Sequence, residues 1–407
     1  MKRFIFRVFL ALLVVTNASA LVAQDAGSER NSVEIGERLS IHSEILDEER
    51  AYWVHLPASY DQAPYSPARY PVLYLLDGNA HFHSVTGALN FMSAGINGNM
   101  QVPEMIVVAI PNTDRTRDLT PTATSLAFDG SEIPDGPMGG GGAEFLRFIR
   151  DELMPRIEAD YRTRPYTVFV GHSLGGLIAL HALVNAPGMF DAHIAIDPSL
   201  WWDDRKLEKQ ARTHFSGTDD REGAVFISLA NNKPPPGVDN IMKIAGEAFA
   251  ASMAGANTEH FRTDHKFYER EDHGSVPLIS LYDGLLHIFD GYKPSLAALF
   301  EDPSGLQPHF RAVSERLGQT FLPPEPTVNQ LGYALLAQEP DKAVQFFEAN
   351  VENYPDSFNA WDSLGDGLAA QGETDRAIES YQRSLELNPE NENARTRIEE
   401  LKAGGTE

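Results

Sequence analysis

The chain contains no cysteine, and that one absence removes disulfides, thiolate metal sites and a lipid-anchored lipoprotein terminus together. Positive charge is scarce. Lys and Arg number 33 against 58 Asp and Glu, a net charge of −25, so nucleic acid and anionic membranes are poor partners. Long apolar runs are missing too: the stretch from Val8 to Val15 is too short to span a bilayer. Lys2, Arg3 and Arg7 precede it and the small residues Ala18-Ser19-Ala20 follow, which is the form of a secretory signal over residues 1–20. Cleavage after about Ala20 predicts a periplasmic or secreted bacterial protein with no membrane span, an uncleaved anchor being the alternative. The rest is an ordinary globular composition, 42% hydrophobic and 22% charged, long enough for one large domain and one small.

After a polar leader at 21–32, two alternating stretches, Val33 to Ser43 and Arg50 to Leu56, predict an antiparallel hairpin turning at Leu46 to Glu49. Continuous apolar runs at Pro71 to Leu76, Met105 to Ile110, Val168 to Val170, Ala192 to Ile196 and Val225 to Leu229 have the character of buried parallel strands. His265 to Tyr268 looks like a further strand. Helical patterns at 143–160, 174–185, 240–254 and 278–291 alternate with them, which predicts an α/β protein with a doubly wound, mostly parallel sheet. The four glycines Gly139 to Gly142 suggest a flexible lead into the helix at 143, or a lid hinge.

Residues 296–326 form a proline-rich connector with one helical piece near 309–317. Beyond it, over 327–403, Leu331-Gly332 recurs as Leu364-Gly365, Ala343 as Ala377, Phe347 as Tyr381 and Pro355 as Pro389. Spacings of 33 and 34 residues predict a small all-α tetratricopeptide-like module, with Glu392 to Leu401 as its closing helix. Two units and a cap are few for independent stability, so the module is expected to dock on the larger domain or to self-associate, with a protein partner also open to it.

The chemistry centres on Gly171-His172-Ser173-Leu174-Gly175, set between a strand and a helix as a nucleophile elbow is. Ser173 is the candidate nucleophile, held on a strained turn that needs glycine on both sides. The N–H of Leu174, at the helix start, is aimed where an oxyanion would form. In this fold the base histidine comes late in the chain. His273, on a tight loop before Gly274-Ser275-Val276-Pro277, is preferred to His265 in its strand-like stretch. Trp201 and Trp202 follow a strand's C-terminal end, where open α/β sheets bind ligands, and one of them should line a pocket while the other packs in the core. His172 and Arg117 complete the substrate-binding candidates; Arg115 and Arg117 either steer an anionic substrate or brace their loop through Asp114 or Asp118. His81-Phe82-His83 suits a pocket or core better than a metal, since no third ligand is near. No metal or organic cofactor is expected.

Five segments resemble, in order, the esterase D and enterochelin (trilactone siderophore) esterase group of α/β-hydrolases. They are Leu75 to Phe82, Arg115 to Thr122, Val170 to Gly176, Pro198 to Trp202 and His273 to Pro277, and the similarity spans about residues 33–295. The resemblance implies Ser173 as nucleophile, His273 as general base, and an oxyanion hole from Leu174 N–H with one from the Gly78–Asn79 turn. It implies a serine carboxylic-ester hydrolase working through an acyl-enzyme on a small acyl ester or a siderophore-type lactone. One departure stands out. The usual acid follows the strand at 225–229, where this chain has Ala230-Asn231-Asn232. Asp197 at the end of the preceding strand, Asp239 beyond the prolines, or a Ser173–His273 dyad remain open, with Asp197 favoured. The missing acid also leaves an alternative, an exported scaffolding protein with a vestigial hydrolase domain and partner-binding repeats.

Overall fold

The computed structural model describes residues 32–93, 99–128, 130–217, 221–235, 237 and 239–404. The signal sequence expected at 1–20 and, but for its last residue, the leader expected at 21–32 lie outside the described residues. Strands β1 (Glu37–Ser43) and β2 (Glu48–His55) form the antiparallel hairpin, with Ser43 opposite Glu48. Strand β3 (Tyr70–Leu76) leads into helix α1 (Gly78–Ser93), and β4 (Ile106–Ile110) into the short α2 (Arg115–Asp118). A two-stranded ribbon follows, β5 (Ala123–Thr124) with β6 (Met138–Gly139). Helix α3 (Gly142–Phe148) runs through a π-turn into α4 (Met154–Asp160).

Next come β7 (Thr163–His172), α5 (Leu174–Asn185), β8 (Ala192–Ile196), α6 (Trp202–His214), β9 (Gly223–Ala230), α7 (Ile241–Met253), β10 (Phe261–Tyr268) and α8 (Pro277–Ile288). The eight-stranded sheet has the order β1-β2-β4-β3-β7-β8-β9-β10, parallel from β4 to β10. Period-two alternation divides its side chains between two faces. Leu73, Leu75, Val107, Val168, Val170, Ile194 and Phe226 share one core with α1 and α8. Val72, Tyr74, Val108 and Phe169 pack beneath α3, α4 and α5, and Val225 and Ile227 beneath α6 and α7. Both faces are covered, which is why these strands read as unbroken apolar runs.

The four glycines are tightly packed, and neither a flexible lead nor a hinge describes them. A Cβ on Gly139 would meet Thr120 Oγ1 at 2.2 Å, and one on Gly142 would meet Ile178 Cδ1 at 2.6 Å. The connector also differs from its expected form. It holds α9 (Leu296–Glu301) and α10 (Leu306–Leu317), longer than the single piece anticipated. Pro308 lies in the first turn of α10, where a missing N–H costs nothing, and Leu306, Phe310, Val313 and Leu317 join the hydrolase-side core.

The C-terminal helices are α11 (Glu325–Leu336), α12 (Pro340–Asn353), α13 (Phe358–Gln371), α14 (Thr374–Leu387) and α15 (Glu392–Gly404). Their recurring Leu-Gly has a steric cause. A Cβ on Gly332 would sit 2.4 Å from Phe347 Cε1, and one on Gly365 would sit 2.6 Å from Tyr381 Cε1. Each glycine admits the aromatic ring of the next helix. Docking is what the structure adopts: Val328, Leu331 and Phe346 belong to the same core as Leu285 and Phe289. The buried Glu325 adds a polar tie, accepting from Ser66 N–H at 3.0 Å and from the Ser357 hydroxyl.

Candidate active site

The elbow is built where β7 ends and α5 begins. Ser173 has φ 62° and ψ −116°, a conformation that L side chains rarely adopt. A Cβ on Gly171 would lie 2.1 Å from Gly175 O, so no other residue fits at 171. Ser173 N–H donates to Ile196 O at 2.9 Å, and its carbonyl accepts from Ser199 N–H at 3.0 Å, pinning the turn to the end of β8. Leu174 opens α5, and Gly78 with Asn79 opens α1, so these N–H groups precede the first intrahelical bonds. Gly78 is held against β4, where a Cβ would come 2.9 Å from that of Ala109.

His273 is joined to Asp197, across 76 residues of sequence, by a 2.7 Å contact between Nδ1 and Oδ2. Asp197 is fully buried and half-turned at φ 38°. Its Oδ1 accepts from Ala230 N–H at 2.9 Å, and its Oδ2 also accepts from Asn232 Nδ2 at 3.1 Å. The asparagine found where the family acid was sought therefore backs the carboxylate from the neighbouring strand. Asp239 is exposed ahead of α7, and the His273 contact does not go to it. The His273 loop is tight because Asp272 Oδ1 accepts from both Gly274 N–H and Ser275 N–H at 3.0 Å. The Ser173 hydroxyl lies 3.2 Å from that of the buried Ser199.

Two further histidines stand beside the pair. The His172 ring lies against His273 with centroids 4.4 Å apart, and His81 meets His172 edge-on at 5.8 Å. Burial first, then the neighbouring His273 and His81, pushes His172 down to about 4, so it is neutral at physiological pH.

Arg115 braces the site from below. Its Nε and Nη2 donate to the two oxygens of Asp77 at 2.6 and 2.9 Å, and Nη2 also reaches His172 O at 3.3 Å. Asn112 donates to the same carboxylate at 2.6 Å. Burial alone would raise the Asp77 carboxyl, but the hydrogen bonds from Arg115 and Asn112 hold it below the usual range. This clamp links the turn before α1 to the elbow. The partner expected for Arg115, Asp114 or Asp118, is replaced by Asp77.

Arg117 does not face the site as a substrate cation. Its Nε donates to Asp118 and its two Nη atoms to Glu48, in a network with the buried Arg50, so all three nitrogens are spent within the protein. Trp202 is buried and donates from Nε1 to Thr122 O at 2.8 Å, while Trp201 is half-buried and meets the exposed Phe128 edge-on at 5.1 Å. Trp202 is core, and Trp201 packs against the same core from its half-buried edge. Sequence alone missed Ser199, Asn232 and the Asp77–Arg115 clamp. The first and last lie inside the recognised segments, but nothing local marks their partners.

A family model described as "Putative esterase" matches residues 43–274, more than half of the chain, and two tetratricopeptide repeat models match 330–357 and 358–391. The ferri-bacillibactin esterase BesA of Bacillus subtilis is 37% identical over 213 residues, 49% of this chain and 67% of the relative. A siderophore enterobactin esterase of Emericella nidulans is 30% identical over 251 residues, 53% and 81% of the two chains. Among solved structures, an IroE-like serine hydrolase from Shewanella oneidensis superposes with a TM-score of 0.69 at 32% identity, covering 78% of this chain and 99% of that one. A mostly parallel sheet, an elbow at its centre and these relatives together place the protein: it is an esterase belonging to the family described as "Putative esterase", with tetratricopeptide repeats at its C-terminal end.

Proposed function

We propose that the protein is an exported serine carboxylic-ester hydrolase that opens siderophore-type lactones or related acyl esters through an acyl-enzyme. The observation that carries this reading is the 2.7 Å contact between His273 and a fully buried carboxylate, beside a serine held at positive φ. The names of the relatives, ferri-bacillibactin and enterobactin esterases, support the substrate class. Ser173 Oγ leaves Ser199 and attacks the ester carbonyl while His273 takes its proton; Asp197 holds the ring and offsets the imidazolium charge. The N–H of Leu174, with Gly78 or Asn79, receives the oxyanion. His273 returns the proton to the departing alcohol, and a water activated by the same histidine then frees the acid. The scaffold alternative rested on a missing acid after β9, and Asp197 supplies a carboxylate from β8 instead. Export rests on the N-terminal signal pattern; among the described residues no helix is long and apolar enough to cross a membrane.

The test is hydrolysis of p-nitrophenyl esters and of enterobactin by the mature protein beside Ser173→Ala, with fluorophosphonate labelling read by mass spectrometry. Loss of turnover and of the label in the variant is expected. Undiminished turnover without Ser173 would remove the serine mechanism.

A further inference from the structure

The loop that follows β8 carries two buried polar side chains, Asp197 and Ser199. Asp197 holds His273. Ser199 is 3% exposed, and its hydroxyl lies 3.2 Å from that of Ser173, its one hydrogen-bond partner among the described residues. A buried hydroxyl costs free energy unless it is bonded, and this one is bonded to the nucleophile.

The backbone fixes where that hydroxyl sits. Ser199 N–H donates to Ser173 O at 3.0 Å, and Ser199 O accepts from Trp202 N–H at 3.1 Å. Pro198 seats the loop on the first turn of α5, where a Cβ on Gly176 would come within 3.1 Å of Pro198 Cα. None of these contacts uses the Ser199 side chain, so they persist when the hydroxyl is removed. The chemistry decides which of the two hydroxyls donates. Ser173 has one O–H, and that proton must point to His273 if the ring is to take it. The bond between the serines is then made by the Ser199 proton, accepted by a lone pair of Ser173 Oγ.

We infer that Ser199 is a further catalytic residue, a donor to the Ser173 oxygen at the two moments when that oxygen carries charge. The inference rests on Ser173 as the nucleophile and adds what steadies its charge. In acylation His273 takes the Ser173 proton, and Ser199 O–H supports the oxygen until its bond to the carbonyl carbon forms. The contact is then given up, since an ester oxygen is a weak acceptor. In deacylation water attacks the acyl carbon, its proton passes to His273, and the C–Oγ bond breaks. Ser173 Oγ again receives the Ser199 hydrogen bond while His273 returns the proton to it. Ser199 keeps its own proton throughout. A hydrogen bond to a charged oxygen is about twice as strong as one to a neutral oxygen, so its loss slows both steps. The loop after β8 thus serves both partners of the reaction, the base through Asp197 and the nucleophile through Ser199.

The test measures Ser199→Ala on a p-nitrophenyl ester, beside the second-order rate at which a fluorophosphonate labels Ser173. The labelling involves attack by Oγ and no deacylation, so it reads the nucleophile directly. Expected are a fall of about tenfold in kcat with KM within about twofold, a similar fall in the labelling rate, and unchanged thermal unfolding. Ser199→Thr, which keeps a hydroxyl at the same backbone position, should recover most of both rates. A labelling rate in Ser199→Ala equal to the parent's would overturn the inference. A Ser199→Thr variant as slow as Ser199→Ala, or a Ser199→Ala protein that unfolds far earlier than the parent, would also overturn it by assigning the loss to packing. Ester cleavage by Ser173→Ala would remove the serine mechanism and this role with it, whereas an inert Ser173→Ala beside a fully active Ser199→Ala would remove the role of Ser199 alone.

Discussion

Replacing Asp197 by Asn changes one oxygen for an NH2 in a site where every neighbour is a donor. Oδ1 faces Ala230 N–H, and Oδ2 faces both Asn232 Nδ2 and His273 Nδ1. If the amide keeps its oxygen toward Ala230, its NH2 opposes two donors, and His273 must carry its proton on the other nitrogen, where it can no longer accept from Ser173. If the amide is reversed, Ala230 N–H is left buried without an acceptor. Either way one buried hydrogen bond is lost, a stability cost of about 1–3 kcal/mol, small enough for the fold to persist. In the first arrangement the loss in turnover is larger, because a wrong tautomer removes the base: about 10⁴ in kcat, or about 5 kcal/mol of transition-state stabilisation. The assay is kcat and kcat/KM on a p-nitrophenyl ester beside thermal unfolding of the same preparation. Near-normal turnover with the fold intact would refute the role given to Asp197.

Arg115→Ala should leave the buried Asp77 with Asn112 as its remaining side-chain partner, lowering stability by roughly 3 kcal/mol and loosening both sides of the oxyanion site. The kinetic readout is kcat falling more than KM rises, and an unchanged kcat would show that the clamp is structural only. Acid should destabilise the protein through three histidines: partial burial pushes His172 and His181 down to about 4, and full burial pushes His193 to about 3. With unfolded values near 6.5, the unfolded chain binds more protons between about pH 6.5 and 4, so stability is full above that window and falls as pH drops through it. The sum is on the order of several kcal/mol, measurable by urea unfolding at pH 7.5 and 4.5; a flat profile would contradict it. A chain ended after Pro324 should melt earlier and aggregate, because it uncovers the core shared with Val328, Leu331 and Phe346. An unchanged Tm and full activity would show the repeats to be an independent platform. Phe347→Ala, which empties the space against Gly332, should cost about 3–5 kcal/mol in chemical unfolding, with a loss below 1 kcal/mol ruling out the packing described.

The elbow was legible in the sequence because everything that makes it is contiguous: apolar strand, glycine, serine, glycine, helix. The alternating hairpin, the buried parallel strands and the 34-residue repeat were legible for the same reason, since each is a periodic pattern along a short stretch. The connector was underread because its prolines masked the spacing of Leu306, Phe310, Val313 and Leu317. Of the two readings open for Arg117, steering a substrate or bracing its loop, the structure adopts the brace on its neighbour Asp118, while its other partner, Glu48, is 69 residues away and has no local signal.

What sequence could not decide was which carboxylate meets His273. Asp197 and Asp239 are equally acidic in isolation. Sheet order separates them, by setting β8 between the elbow strand and β9 so that Ala230 and Asn232 converge on Asp197. The Asp77–Arg115 clamp is likewise a product of assembly. Local patterns fall within one element and are written in the order of the chain; the contacts that orient a base or neutralise a buried charge join elements whose distance in sequence carries no information about their distance in space.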